Sequence, residues 1–436
     1  MSGPMTSEVE YLLSLEGVRE RANRVFKIAK RGGLKHFHYK PECLPEVAHL
    51  VAHTISRAYG PDKYHEIPPH GRWQHFNVGG VDRVSRLLQG TRGTADSKEQ
   101  TRILIDLFFV SVLLDAGAGN QWKYREADAK SETVYERSEG IAVASLYMFE
   151  SGGFSSDSAR ARTVDGQALV NLDTEQFLSN FQISTHNPMV GVNARIQLLK
   201  DVGKSLLSLP DIFGPQGRPG NLLDYMLNSV TGTEPLDYAT LWSVLQRLLI
   251  PAWPKDRTNI GHQAIGDAWP LEVLKEEAQS ADGNDVAASI QPFHKLTQWL
   301  AYSLVVPFDK LLHLKWKHME LGTGLPEYRN GGLFVDMDVL RLKEDSLLAG
   351  QLTSGSVLPM FKADSDVVVE WRAMTVALLD QLHEMISTHF EALGIQISMA
   401  QMLEAGSWKA GRDLAASKRP QSKSSPILID GDGTLF

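Results

Sequence analysis

Between Glu320 and Leu340 the chain reads ELGTGLPEYRNGGLFVDMDVL, which sets a carboxylate, a phenol and a guanidinium side by side at Glu327, Tyr328 and Arg329. Glycine tolerates φ > 0 and proline fixes φ near −65°, so Gly322-Thr323-Gly324-Leu325-Pro326 stops the preceding helix. Pro326 then suits the first turn of the next helix, where its missing N–H costs nothing. The three polar groups fall in that turn. An acid, a phenol and a cation braced by glycines make a floor for a polyol or a nucleoside. The same residues also read as a capped helix with a surface ion pair, which contributes little. On this stretch alone both readings stand.

Other residues compete for roles in such chemistry. Asp115 ends an apolar helix and runs into Ala116-Gly117-Ala118-Gly119. The helix dipole makes a C-terminal acid unfavourable, so an aspartate there suggests a task, although a turn aspartate bonding its own backbone is the plain alternative. Glu139 opens the next apolar helix and joins the candidate binding set. Arg195 lies with Lys200 and Lys204 away from the apolar stripe of its helix, the pattern of a solvated face. Lys295 and Gln298 lie early on a long helix, and Glu370 and Arg372 interrupt a core-like one. Positions two apart do not face each other on a helix, so Glu370 and Arg372 are expected to pair elsewhere in the fold.

The elements that carry these residues are mostly helices. Ser7 to Lys30 reads as one helix with Ser7 as N-cap and Glu10 completing a capping box. Pro45–Tyr59, Val81–Leu88, Lys98–Leu114, Ser138–Phe149, Val190–Leu207, Pro292–His318, Asp364–Leu393 and Ser398–Arg412 show helical spacing of apolar positions. The chain is expected to be mostly α, with minor short strands such as Ile427–Ile429. It is read as a single compact helical domain over 1–436, with N-terminal helices at 1–69, a catalytic body at 70–415, and a linker and tail at 416–436.

Composition bounds the function. The 436 residues are 43% hydrophobic and 22% charged, an ordinary globular balance. A net charge of −8 argues against a nucleic-acid partner, which needs a clustered basic surface. A single cysteine, Cys43, excludes intrachain disulfides and thiolate zinc clusters. No apolar run reaches the roughly 18 residues of a membrane helix, and no signal-peptide core is visible, so a cytoplasmic location and no membrane partner are expected. The oligomeric state is not legible.

As a set, GRWQHFNVGGVDR, LLDAGAGNQWKYRE, NPMVGVNAR, GTGLPEYRNGGLFVD and PILIDGDGTLF resemble the uracil catabolism protein 4 family of fungi and bacteria. The resemblance covers about His70 to the C-terminus. It implies a place in a pyrimidine-degrading route that releases urea by way of a ribosylurea intermediate. VGGVDRVSRLL, NARIQLLKDVGKSL, PFHKLTQWL, EYRNGG and VEWRAMTV, in that order, are similar to segments of the queuosine-nucleotide N-glycohydrolases, a helical fold related to DNA glycosylases. That second resemblance implies that Lys295 and Gln298 lie on the helix facing the nucleotide. It also puts Glu327 at the acidic position of a D-Y-R motif, and matches Glu370 and Arg372 to a late E-x-R pair. One departure is Ser303, where those hydrolases have an aspartate.

ILIDGDGT also matches the nucleophile motif of haloacid-dehalogenase-type phosphatases, but that motif follows the first strand of an α/β domain, and no strand–helix alternation is visible here. The tail is read instead as a strand-like arm docking on the helical body, with Asp430 and Asp432 either lining a pocket mouth or simply solvating the end. If it closes the pocket, removing Pro426 to Phe436 cuts activity severely and leaves stability nearly unchanged, whereas equal loss of both marks it as part of the core packing only.

Breaking a ribosyl C–N bond passes through an oxocarbenium-like state, which a carboxylate stabilises, while a second group orients water. Glu327 and Asp115 are the candidates for these catalytic roles, with Tyr328 as a polar partner and Lys295, Arg329 and Arg195 available to a 5′-phosphate. The reading is an N-ribohydrolase acting on ribosylurea or its 5-phosphate, a small-molecule substrate, without cofactor or metal. Two other classes stay open: a metal-dependent amidohydrolase using His36, His38, His65, His70 and His75, and a non-catalytic partner of other pathway enzymes.

Overall fold

The computed structural model describes residues 7–115, 117–119, 121–127, 132–232, 234–254, 257–280 and 286–431. Helices dominate, and the strands come in two-stranded pairs of two to five residues each. The mostly α architecture expected from periodicity is what the chain adopts. Its packing separates two units. The first holds Met1–His70, Lys255–Gln298 and Glu320–Gly431, and the second holds Gly71–Pro254, Trp299–Met319 and Asp432–Phe436. Among the described residues no helix is long and apolar enough to cross a membrane.

In the first unit the 26-residue helix Asp366–Glu391 packs against Leu15–Lys30 and Leu44–Tyr59. Val367, Trp371, Met374, Leu378 and Leu382 are all buried, as their spacing requires. The N-terminal segment is two helices, Ser7–Leu12 and Leu15–Lys30. Ser14, not Ser7, is the cap at the break: its hydroxyl accepts from the Gly17 amide at 2.9 Å. A serine inside an apolar pattern can hydrogen-bond locally and end a helix that spacing alone would carry through. Two antiparallel pairs, Phe37–Tyr39 with Leu340–Leu342 and Ala268–Pro270 with Ile290–Pro292, tie distant segments together.

The segment after Ser398 is capped by that residue, with Gln401 completing a capping box. Its middle, Leu403–Ser407, widens into a π turn before the helix Trp408–Lys418 resumes. That helix lies against Tyr328–Asp336, and the approach leaves no room for a side chain: a Cβ on Gly411 would collide with the Arg329 carbonyl.

In the second unit the helix Ser97–Leu113 is buried along nearly its whole length, with Ile103 to Leu113 inside. Arg137–Glu150 and Val192–Leu207 pack against it, and Tyr238–Leu249 packs on Val192–Leu207. An antiparallel hairpin, Lys123–Ala127 with Glu132–Glu136, packs on Arg137–Glu150. Helical spacing gave no sign of it. The helix expected over Pro292–His318 is shorter, Lys295–Leu312, and it carries Pro307 within it. Its first turn belongs to the first unit and the remainder to the second.

The C-terminal arm docks as a strand. Leu428–Asp430 runs parallel to Met360–Lys362 in the first unit, and Ile427 is 1% exposed. The described part of the arm therefore takes part in the core packing. Burial of that side chain gives a direct prediction. Ile427→Ala should lower the unfolding free energy by about 2–5 kcal/mol, read from urea denaturation. A loss below about 0.5 kcal/mol, the scale of surface substitutions, would show that the arm contributes nothing to the core.

Candidate active site

The Gly322–Pro326 loop ends where expected, but the helix that follows starts later, at Tyr328. Glu327 is its N-cap. One carboxylate oxygen accepts from the Arg329 amide at 2.7 Å and the other from the Asn330 amide. Caps are usually short side chains, whose oxygen reaches back to the second or third amide. A glutamate here must fold its extra methylene into the turn, which brings the carboxylate inside: Glu327 is 8% exposed. Burial raises its pKa, against the pull of the two amides and of the Lys295 and Arg329 charges nearby. A carboxyl that takes up a proton more readily than usual and sits beside two cations is suited to proton transfer and to stabilising positive charge.

The neighbours of Glu327 are fixed by their own bonds. Asn330 donates to the Leu325 carbonyl at 3.2 Å and accepts from Ser407, in the π turn, at 2.8 Å. The Arg329 guanidinium lies 5.0 Å from the Tyr328 ring centroid and donates to the Lys423 carbonyl at 3.0 Å. Gln298 is fully buried, and its carbonyl oxygen takes both the amide and the hydroxyl of Thr323 at 3.0 Å. It thus orients the glycine loop that leads to Glu327.

Lys295 starts its helix under a clasp that sequence reading missed. Asp267 accepts the Lys295 amide at 3.0 Å and the Trp269 indole N–H at 2.8 Å. It also takes both guanidinium nitrogens of Arg372 at 2.8 Å. Burial would raise this carboxyl, but the Arg372 charge and the converging donors outweigh it and hold the group well below the usual carboxylate range. Arg372, 1% exposed, is therefore a brace in this unit. Its expected companion Glu370 has separate partners, as the two-residue spacing requires. Glu370 accepts the amides of Lys35 and His36 at 2.8 Å and of Phe37 at 3.2 Å, and burial raises its pKa. Asp430 is exposed at the end of its strand, where its carbonyl accepts from the Ala363 amide at 2.9 Å. Asp432 lies outside the described residues.

The second unit holds the other candidates. Asp115 follows the helix Ser97–Leu113 and binds Arg72 through Oδ2 at 2.7 Å. Arg72 also donates to the Ser111 hydroxyl at 2.8 Å, and that hydroxyl lies 2.6 Å from Ser145 Oγ. Arg72 is wholly buried, and burial lowers its pKa against the fields of Asp115 and Glu139. An acid placed against a helix C-terminus thus has its counter-charge in Arg72, a residue that periodicity gave no reason to choose. Arg195, expected on a solvated face, is 1% exposed. Its guanidinium donates to the carbonyls of Leu114 at 3.0 Å, Gly117 at 2.9 Å and Val190, bracing the loop after Asp115.

The histidines considered as ligands have other neighbours. His70 Nδ1 lies 2.6 Å from Glu404, and the His75 ring packs edge-on against Trp299. Among the described residues no group of three or more His, Cys, Asp or Glu side chains is placed to hold a metal ion.

The raised pKa of Glu327 has a consequence for stability. The folded chain holds that proton more tightly than the unfolded chain, so the group's contribution is full below the ordinary value of 4.5 and is lost as pH rises through the folded pKa. Glu327→Gln lacks this titration. The stability of the unmodified protein relative to the variant should therefore decline as pH is raised from below 4.5, in urea midpoints measured across pH. A difference independent of pH would mean that the carboxyl titrates normally.

Comparison with known proteins extends this picture. The chain is 45% identical over 433 residues to "Protein urg3" of Schizosaccharomyces pombe, covering 99% of this chain and 100% of that protein. It is 41% identical over 441 residues to "Uracil catabolism protein 4" of Lachancea kluyveri, covering 98% and 99%. A family model described as "Protein of unknown function (DUF1688)" matches residues 11–436, and with that span the chain belongs to the DUF1688 family.

Proposed function

We propose that this protein acts in uracil catabolism as an N-ribohydrolase, releasing urea from ribosylurea or its 5-phosphate. A relative that carries the name "Uracil catabolism protein 4" and matches over nearly the whole chain supports the pathway. The observation that carries the reaction is the buried Glu327 carboxylate, fixed at a helix start beside the charges of Lys295 and Arg329.

The chemistry follows from that arrangement. The bond from ribosyl C1′ to the urea nitrogen breaks, its electron pair leaves with the nitrogen, and the nitrogen takes a proton. Water adds hydroxide to C1′ and gives up a proton. Ionised, Glu327 stabilises the positive charge that develops on the ribosyl ring, and its raised pKa fits it to accept the proton of the attacking water. Lys295 and Arg329 supply positive charge for a 5-phosphate when one is present. Gln298 shapes the loop through Thr323, and Tyr328 follows Glu327 as its polar partner. Asp115, held by Arg72 in the second unit with Glu139 in the same field, is the alternative catalytic carboxylate.

Incubation of the purified protein with ribosylurea and with its 5-phosphate, assaying free urea, tests the assignment directly. Glu327→Gln keeps size and shape but removes the charge. Its kcat should fall by about 10²-fold or more. KM should change much less, because the neutral ground state has little need of the carboxylate. Arg329→Met should raise KM selectively for the phosphorylated substrate. Release of urea by neither substrate would overturn the reaction. Near-normal turnover by Glu327→Gln would move the essential carboxylate to Asp115.

A further inference from the structure

The ribosyl reaction makes no use of His36. This residue lies in the loop before the strand Phe37–Tyr39, and its ring bridges two side chains. Nε2 is 2.9 Å from Asp366 Oδ2, and Nδ1 is 2.9 Å from Ser346 Oγ. The chemistry of the groups settles their roles. An ionised carboxylate only accepts hydrogen bonds, so Nε2 carries the hydrogen. The neutral ring then presents its lone pair at Nδ1, and the Ser346 hydroxyl donates to it. A hydroxyl facing an imidazole that a carboxylate orients is the arrangement of an activated serine nucleophile.

The surroundings hold this arrangement in place. The His36 amide donates to Glu370 at 2.8 Å, and the His36 carbonyl accepts from the Lys343 amide at 2.8 Å. Asp366 uses its other oxygen to take the Glu272 amide at 2.8 Å, so its carboxylate cannot swing freely. Ser346 lies in the first turn of the helix Glu344–Ser354. First-turn amides have no acceptor within their own helix, and they sit at its positive end. The Ser346 amide is thus available to an oxyanion formed next to its own hydroxyl. The site is reachable: the side chains of His36 and Asp366 are 26% and 32% exposed.

Substrate class follows from what flanks the hydroxyl. Glu344 and Asp345 precede it and repel anions, and further along the same helix Leu348 and Leu352 are exposed at 51% and 85%. We propose that Ser346, His36 and Asp366 form a second hydrolytic centre, one that cleaves uncharged carboxylic esters with small apolar acyl groups. As Ser346 Oγ bonds to the ester carbonyl carbon, its proton passes to His36 Nδ1. The carbon–oxygen bond to the alcohol then breaks, and the alcohol leaves with that proton. Water, deprotonated by the same nitrogen, hydrolyses the acyl-serine to the carboxylic acid and restores the hydroxyl. This centre is independent of the ribosyl chemistry, so it stands or falls without it.

The full-length protein is treated with a fluorophosphonate probe and mapped by peptide mass, and in parallel with p-nitrophenyl acetate. Label should sit on Ser346, and both label and acetate hydrolysis should vanish in Ser346→Ala. Asp366→Asn is the sharper variant. Its amide oxygen can still accept from Glu272, while its NH2 donates to Nε2 and turns the hydrogen of the ring toward Ser346. A wrong tautomer facing the nucleophile should slow acylation by about 10²-fold or more with the helical circular dichroism unchanged. Absence of label on Ser346, or an acylation rate indifferent to Asp366→Asn, would overturn the proposal and leave His36 as a latch between helices.

Discussion

The first unit turns on the pair between Arg372 and Asp267. A buried ion pair is weak as a source of net stability, because desolvation of both charges offsets their attraction. Its effect here is on register. The same carboxylate that meets the guanidinium accepts the amide of Lys295, and the Asp267 carbonyl accepts the amides of Phe293 at 2.9 Å and His294 at 3.1 Å. The helix Lys295–Leu312 begins where it does because this aspartate caps it. One turn later Gln298 holds Thr323, and the loop from Thr323 runs into Glu327. A charge on the helix Asp366–Glu391 thereby sets the start of the helix whose lysine charge acts on Glu327.

Glu327 is poised between opposing terms. Desolvation favours the neutral acid, while two backbone amides and two cations favour the anion. The net direction is upward, so small changes around it shift its charge state. An aspartate at this position would reach the cap with less side chain to fold, and one methylene is enough to change how deeply the carboxylate lies. That difference bears directly on the resemblance to the queuosine-nucleotide hydrolases, whose motif has aspartate where this chain has Glu327.

Periodicity made the helices legible, because burial of one stripe leaves its spacing in the sequence. Pro45–Tyr59, Lys98–Leu114 and Asp364–Leu393 were each placed within about two residues of the observed ends, the usual tolerance at helix termini. The glycine–proline loop before Glu327 was equally plain. Partners were not. Asp267 lies 28 positions before Lys295 and 105 before Arg372, and no local pattern couples such distances. Arg195 shows the converse: a charged residue off the apolar stripe looks solvated, yet a guanidinium can be buried when carbonyls at the end of a neighbouring helix need donors. Ser14 and the π turn at Leu403–Ser407 depend on local hydrogen bonds that hydrophobic spacing does not record.

The second unit solves the same physical problem with different parts. Arg372 meets Asp267 through two nitrogens and two oxygens, so both carboxylate oxygens are occupied and the pair is suited to bracing. Arg72 gives Asp115 only Nη1, turning Nε to the Ser111 hydroxyl and Nη2 to the Ser111 carbonyl. Among the described residues the pairing engages Oδ2 of Asp115 and leaves Oδ1 without a hydrogen bond. Asp115 is as deeply buried as Asp267, yet it is clamped through one oxygen where Asp267 is clamped through both.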